Sequence, residues 1–343
     1  MLKNRINFIN KYCMQISGMI VTIICLYVFY KQLNFKDLYV TISEYRWEYL
    51  LYGVLSLFLG YLFRVFRWSI SLNASGSPVS FQDCLSPFLA SIALNNILPL
   101  RLGDVIRVLI FPSSMGIPKA TATSSLIIER LLDLMTLLIC LSCGLYIIQY
   151  VEIPSELKFF AVSSSIFGIS MLIFGILFSK QLAKICLHYS LNDRYYHILT
   201  RALELLSNLL SSFSSMSRPY ELFKMLILSI IVWFFEAGLF YFSLLGANID
   251  GTFLAALLIM SISTLSTLIP SSPGYVGSFH IAAFTALSLM GLPSAQAGGY
   301  SIVVHLLLWI PTTFAGMFAI LLSPSLFSTA KKHVYTIKKG NWK

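Results

Sequence analysis

The chain has 343 residues, 57% of them hydrophobic and 11% charged, with a formal net charge of +10. A soluble domain carries about 25% charged residues, so this chain cannot cover a water-facing surface and lipid must solvate much of it. The basic excess does not point to nucleic acid, because the charges fall between apolar runs and at both ends, as the positive-inside bias places them.

A spanning helix needs about 20 mostly apolar residues, and the runs that meet or approach this test are taken in chain order. Lys3, Arg5 and Lys11 precede a first run at 14–30. Bulky Phe29, Tyr30, Lys31 and Gln32 offer no small-residue cleavage site, so the run reads as a retained span rather than a signal peptide. A second run covers 48–66, with Arg64 and Arg67 as its cytoplasmic flank. An apolar stretch at 84–112 is interrupted by Pro and Gly. Runs at 122–149 and 158–178 follow, separated by an acidic loop with Glu152 and Glu156 that reads as external. Lys180, Lys184, Arg194 and Arg201 return the chain to the inside.

Residues 195–210 show helical periodicity. Tyr195, Ile198, Leu199, Ala202, Leu205, Leu206 and Leu209 share one face, with His197, Arg201, Glu204, Ser207 and Asn208 opposite. This pattern predicts an amphipathic helix on the cytoplasmic surface. A run at 222–246, a second interrupted stretch at 252–291 and a run at 296–322 complete the set, before a basic tail at 323–343. The expected fold is a single all-α polytopic membrane domain over 1–343. It has about six full spans plus two re-entrant broken helical hairpins related by an inverted repeat. The first half is 1–150 with the re-entrant 84–112, the interfacial amphipathic segment is 180–218, and the second half is 222–322 with the re-entrant 252–291. Both termini are expected on the cytoplasmic side of the inner membrane.

The repeat rests on an internal echo. Leu94 to Val105 reads LNNILPLRLGDV, and Leu265 to Val276 reads LSTLIPSSPGYV. Pro99 matches Pro270, Gly103 matches Gly274 and Val105 matches Val276. Proline removes a backbone donor and clashes with the preceding turn, and glycine lets the chain turn sharply. Gly277 extends the second break. Unwound backbone at membrane depth is tolerated only where it lines a cavity or is buried in protein, and paired breaks in two halves point to a midplane site.

Charges inside spans are rare and usually functional. Asn95, Asn96, Arg101, Asp104 and Arg107 surround the first break, and Glu129, Arg130 and Asp133 open the next span. Glu236 lies within WFFEAGLF, His280 follows the second break and His305 lies within SIVVHLLLWIP. Together they suit a polar cavity for a lipid head group. The arginines match a phosphate bidentately, and helix starts after the breaks add N–H donors. Pairing among the charges themselves would instead lock the bundle. Cys140 and Cys143 form a CxxC inside an apolar run and read as small apolar residues. No His/Cys cluster has metal spacing, and no GxSxG or P-loop occurs, so no catalytic residue, metal or cofactor is expected.

NNILPLRLGDVIR (Asn95 to Arg107), ERLLD (Glu129 to Asp133), IPSSPGYVGSFH (Ile269 to His280) and HLLLWIPTTFAG (His305 to Gly316) stand in this order. In that order they resemble the lysylphosphatidylglycerol synthase transmembrane region, or flippase-like, family of integral membrane proteins. The resemblance implies a lipid-translocating role. In the multiple peptide resistance factors this region moves an aminoacylated lipid made by an attached cytosolic domain. The family usually has an acidic residue where His280 stands and an arginine where His305 stands, so the resemblance implies that these two positions interact. The expected function is a flippase-like transporter of a phospholipid or lipid-linked precursor. Its partners would be anionic or polyprenyl-linked membrane lipids, with a second copy of the chain or a biosynthetic enzyme as protein partner. The alternatives are an integral membrane enzyme or enzyme partner in envelope lipid or glycan assembly, using Glu129 and Asp133 or the two histidines, and a non-transporting scaffold.

Overall fold

The computed structural model describes residues 20, 22–31, 38, 39, 42–147, 155–190, 197–268 and 272–327. Among these the regular structure is helical. The apolar runs become α1 (Thr22–Lys31), α2 (Glu48–Ala74), α6 (Lys119–Ile147), α7 (Ser155–Ser190), α9 (Pro219–Gly246) and α12 (Ser294–Leu322). The first interrupted stretch is α3 (Phe81–Ile97), a 3-10 turn (Pro99–Arg101) and α4 (Leu102–Leu109), followed by the single-turn α5 (Pro112–Met115). The second is α10 (Phe253–Ser266), a 3-10 turn (Pro273–Tyr275) and α11 (Ser278–Leu289). The amphipathic segment is α8 (His197–Met216). Among the described residues, four helices are long and apolar enough to cross a membrane: α2, α7 from Ile166, α9 and α12.

Each half reads long helix, broken hairpin, long helix, and the halves interlock. α2 lies along α9 in the most extensive helix pair. The direction is antiparallel: Gly53 meets Leu239, Ser56 meets Gly238, and Gly60 meets Phe235 and Val232. Small residues let two backbones approach closely where lipid gives no hydrophobic push, and Ser56 Oγ donates to the Phe235 carbonyl at 2.6 Å. α3 then packs on α12 of the other half, and α10 packs on α6 of the first. The helix entering each broken hairpin therefore rests on the long helix that follows the other hairpin.

α2 runs on to Ala74, well past the expected end of its run at 66. Arg64 and Arg67 are therefore not loop residues. They are 8% and 2% exposed inside the bundle, within the helix and not in a flank that follows it. Lys180 and Lys184 likewise lie within α7. Tyr195, Arg194, Glu152 and Pro270 fall outside the described residues, and the side chains of Glu156, His197 and Ile198 do too.

α8 folds back along α7, with Gly175 against the Phe213 ring and Ser207 Oγ donating to the Ala183 carbonyl at 2.9 Å. The turn of α8 facing the protein therefore carries Ser207, Phe213 and Met216. Leu199, Ala202, Leu205 and Leu206 of the expected apolar face point outward. That face is spread over the surface of the bundle rather than packed into it.

Candidate functional site

The first break is made by residues that sequence pattern does not flag as turn formers. Leu100 and Arg101 adopt the left-handed conformation, at φ 59° and 52°, a region that costs a non-glycine residue about 1–2 kcal/mol. Gly103 does not make the turn. It lies in the first turn of α4, where its Cα faces the Ser91 carbonyl and Asn95 across the hairpin; a Cβ there would overlap both. At the second break the positive-φ residues are Gly274 at 72°, Tyr275 at 59° and Gly277 at 93°. The Pro–Gly echo thus aligns the two breaks in sequence, while the turns fall at different steps within them.

The two breaks touch. Arg101 Nη2 donates to Thr267 Oγ1 at 2.7 Å and to the Thr267 carbonyl at 3.2 Å. Its guanidinium lies 5.5 Å from the centre of the Tyr275 ring. Trp309 Nε1 of α12 donates to the Asn96 carbonyl at 3.3 Å. Asn96 Nδ2 donates to Thr312 and Thr313 at 3.0 and 2.9 Å. Among the described residues no carboxylate pairs with Arg101.

His280 and His305 are brought together, their ring centres 4.5 Å apart and edge to face. Both hold backbone of the second break. His305 Nε2 donates to the Gly274 carbonyl at 2.8 Å. The Gly277 N–H donates to His280 Nδ1 at 3.3 Å. His280 Nδ1 therefore accepts and carries no proton, while His305 Nε2 carries one. α1 closes this side: Thr22 Oγ1 accepts from the Ser272 N–H at 2.8 Å, and the Phe29 ring sits 5.5 Å from His280.

The remaining charges form a second group, in which Arg64 and Arg67 join the residues expected from sequence. Arg64 pairs with Glu236 in a short contact and lies 4.0 Å from Asp133. Arg67 donates to Asp133 at 2.7 Å and to Ser229 at 2.5 Å, and Trp233 Nε1 adds a bond to Asp133 at 3.2 Å. Arg107, fully buried, pairs with Glu129 at 3.0 Å and stacks near Trp68 and Phe88. Arg130 reaches Asp104 at 3.0 Å and Glu129 at 3.4 Å. Asn95 Nδ2 donates to Asp104, and the Asp104 N–H donates to Asn95 Oδ1, both at 3.0 Å. Four arginines thus face four carboxylates and their charges cancel, as burial demands.

The signal for Arg64 and Arg67 was in the sequence: two arginines three apart on one face of an apolar helix. Thr267 and Tyr275, which receive Arg101, carried no signal, since only the meeting of the two halves makes them neighbours. Tyr275 is also within electrostatic reach of Asp104 and Arg130 and so stands between the two polar groups.

An all-helical chain with spanning helices, two abutting broken hairpins and a buried ion-pair network is a polytopic membrane protein. It belongs to the family described as lysylphosphatidylglycerol synthase TM region, whose model matches residues 15–316. No curated protein and no solved structure matches it.

Proposed function

We propose that the chain is a flippase-like transporter that carries an anionic phospholipid or lipid-linked precursor, with the head group seated where the two breaks meet. The observation that carries this reading is Arg101. It is a cation on a left-handed turn at the tip of one break, held by Thr267 and Tyr275 of the other; Asp104 lies within electrostatic reach, but no direct ion pair to Arg101 forms among the described residues. A half-buried charge without a direct counter-ion is costly, and a phosphate would supply a direct partner. Arg130, with about a third of its side chain exposed, is the second arginine within reach of an incoming group. Arg64, Arg67 and Arg107 are sealed in ion pairs and hold the frame instead.

The interlocked halves support an inverted repeat. Corresponding helices α2 and α9 run antiparallel, and the swapped pairs α3 with α12 and α10 with α6 follow from a two-fold relation between halves. In such a frame the two hairpins enter from opposite leaflets, and their tips meet near the midplane.

Reconstitution into vesicles with a labelled anionic phospholipid tests the reading. Arg101→Ala should slow leaflet exchange by about tenfold or more, the scale of one charge-assisted hydrogen bond, and Arg101→Lys should retain part of the rate. Thr267→Val keeps the cation and should fall less. Equal loss in Thr267→Val and Arg101→Ala would reduce Arg101 to a structural tie. A covalently altered lipid would favour a membrane enzyme.

A further inference from the structure

Away from the junction of the breaks, α2, α6 and α9 line a small cavity with Arg67, Trp68, Ser71, Ser125, Glu129 and Met225, among others. All six are at least nine-tenths buried, Arg67 at 2% and Glu129 at 5% exposure. At ≈ 10 Å³ the cavity has room for one water molecule and for no larger ligand. Two of its lining side chains carry a buried polar atom with no protein partner: Arg67 Nη2, a donor, and Glu129 Oε2, an acceptor. Ser125 is already used, accepting from Trp68 Nε1 at 3.1 Å and donating to the Ala122 carbonyl at 2.8 Å. Ser71 Oγ donates to Met216 Sδ at 3.5 Å and keeps its lone pairs.

We propose that this cavity is a built site for one internal water, which accepts from Arg67 Nη2 and donates to Glu129 Oε2 and Ser71 Oγ. Three partners are what such a water typically makes, and the donor and the acceptors on the walls are complementary to it. The water adds a further link between α2 and α6 to the Arg67–Asp133 and Trp68–Ser125 hydrogen bonds. It extends the polar chain that starts at Glu236 on α9 and passes through Arg64, Asp133 and Arg67 to Glu129. None of this depends on the proposed function.

Radiolytic footprinting of the purified full chain in ¹⁸O-labelled water tests the site, because side chains beside a bound water are oxidised even when they are buried. Trp68 and Met225, at 2% and 1% exposure, should incorporate label in the unaltered protein. Ser71→Val fills the cavity; it should cut that labelling severalfold and lower the melting temperature, whereas Ser71→Ala, which leaves the room, should keep most of the labelling. A dry cavity gives the opposite sign: filling it raises the melting temperature. Unlabelled Trp68 and Met225 in the unaltered chain would overturn the proposal, as would a stabilised Ser71→Val. If Ser71→Val does not fold, the labelling of the unaltered chain decides alone.

Discussion

The charges of this protein are legible residue by residue once their partners are known. Glu236 sits mid-run in an otherwise apolar helix because Arg64, from a helix 172 positions earlier, reaches it. Replacing one member of a buried pair strands the other charge and costs about 3–5 kcal/mol, while replacing both with apolar side chains of similar size is often near neutral. Glu236→Leu should therefore lower the melting temperature in detergent strongly, and the double change Arg64→Met with Glu236→Leu should recover most of it. A double variant as unstable as the single one would argue against charge pairing as the reason for Glu236. Gly103 gives a second prediction at this scale. Its Cβ would enter the space of the Ser91 carbonyl and Asn95, so Gly103→Ala should destabilise by about 1–3 kcal/mol, read as a loss of thermal stability. An unchanged melting temperature would mean that α3 and α4 can part freely.

At the scale of elements, the two broken hairpins are held by different means. Asn95 and Asp104 staple the first through two side-chain bonds at 3.0 Å. His280 and His305 hold the second through its backbone, one accepting from Gly277 and one donating to Gly274. The acidic residue and arginine that the resemblance implies at these positions would fill the same two roles, since a carboxylate accepts and a guanidinium donates. The histidine pair supplies one acceptor and one donor to the same stretch of backbone. His280→Glu alone would bury an unpaired carboxylate, and His305→Arg alone an unpaired guanidinium. Combining them should preserve stability and lipid exchange better than either single change. Equal loss in all three variants would show that the two positions act independently.

At the scale of the whole molecule, the antiparallel pairing of α2 and α9 puts the loops that follow them at opposite ends of the bundle. Cysteines introduced at Pro78 and at Asp250, both exposed, should therefore react with an impermeant maleimide from opposite sides of the membrane. Labelling of both from one side would break the inverted repeat, and with it the proposal that the hairpins enter from opposite leaflets. The wide apolar surface of α7 and α8, with Phe159, Phe167, Phe174 and Leu205 more than half exposed, fits lipid as its solvent.

Much of this was settled by sequence. Composition required a membrane; the lengths of the apolar runs set the positions of α2, α6, α9 and α12; and proline with glycine marked both breaks. These signals are local, because hydropathy and backbone restriction act within a few residues. Tertiary structure decided what depends on chain segments meeting. It moved Arg64 and Arg67 from a loop to the interior, gave the turn of the first break to Leu100 and Arg101 rather than Gly103, and turned Ser207 rather than Leu205 toward α7. It also set Arg101 against Thr267 and Tyr275. A buried charge is placed by its counter-ion and a left-handed turn by what packs around it, and in this chain both lie far away in sequence.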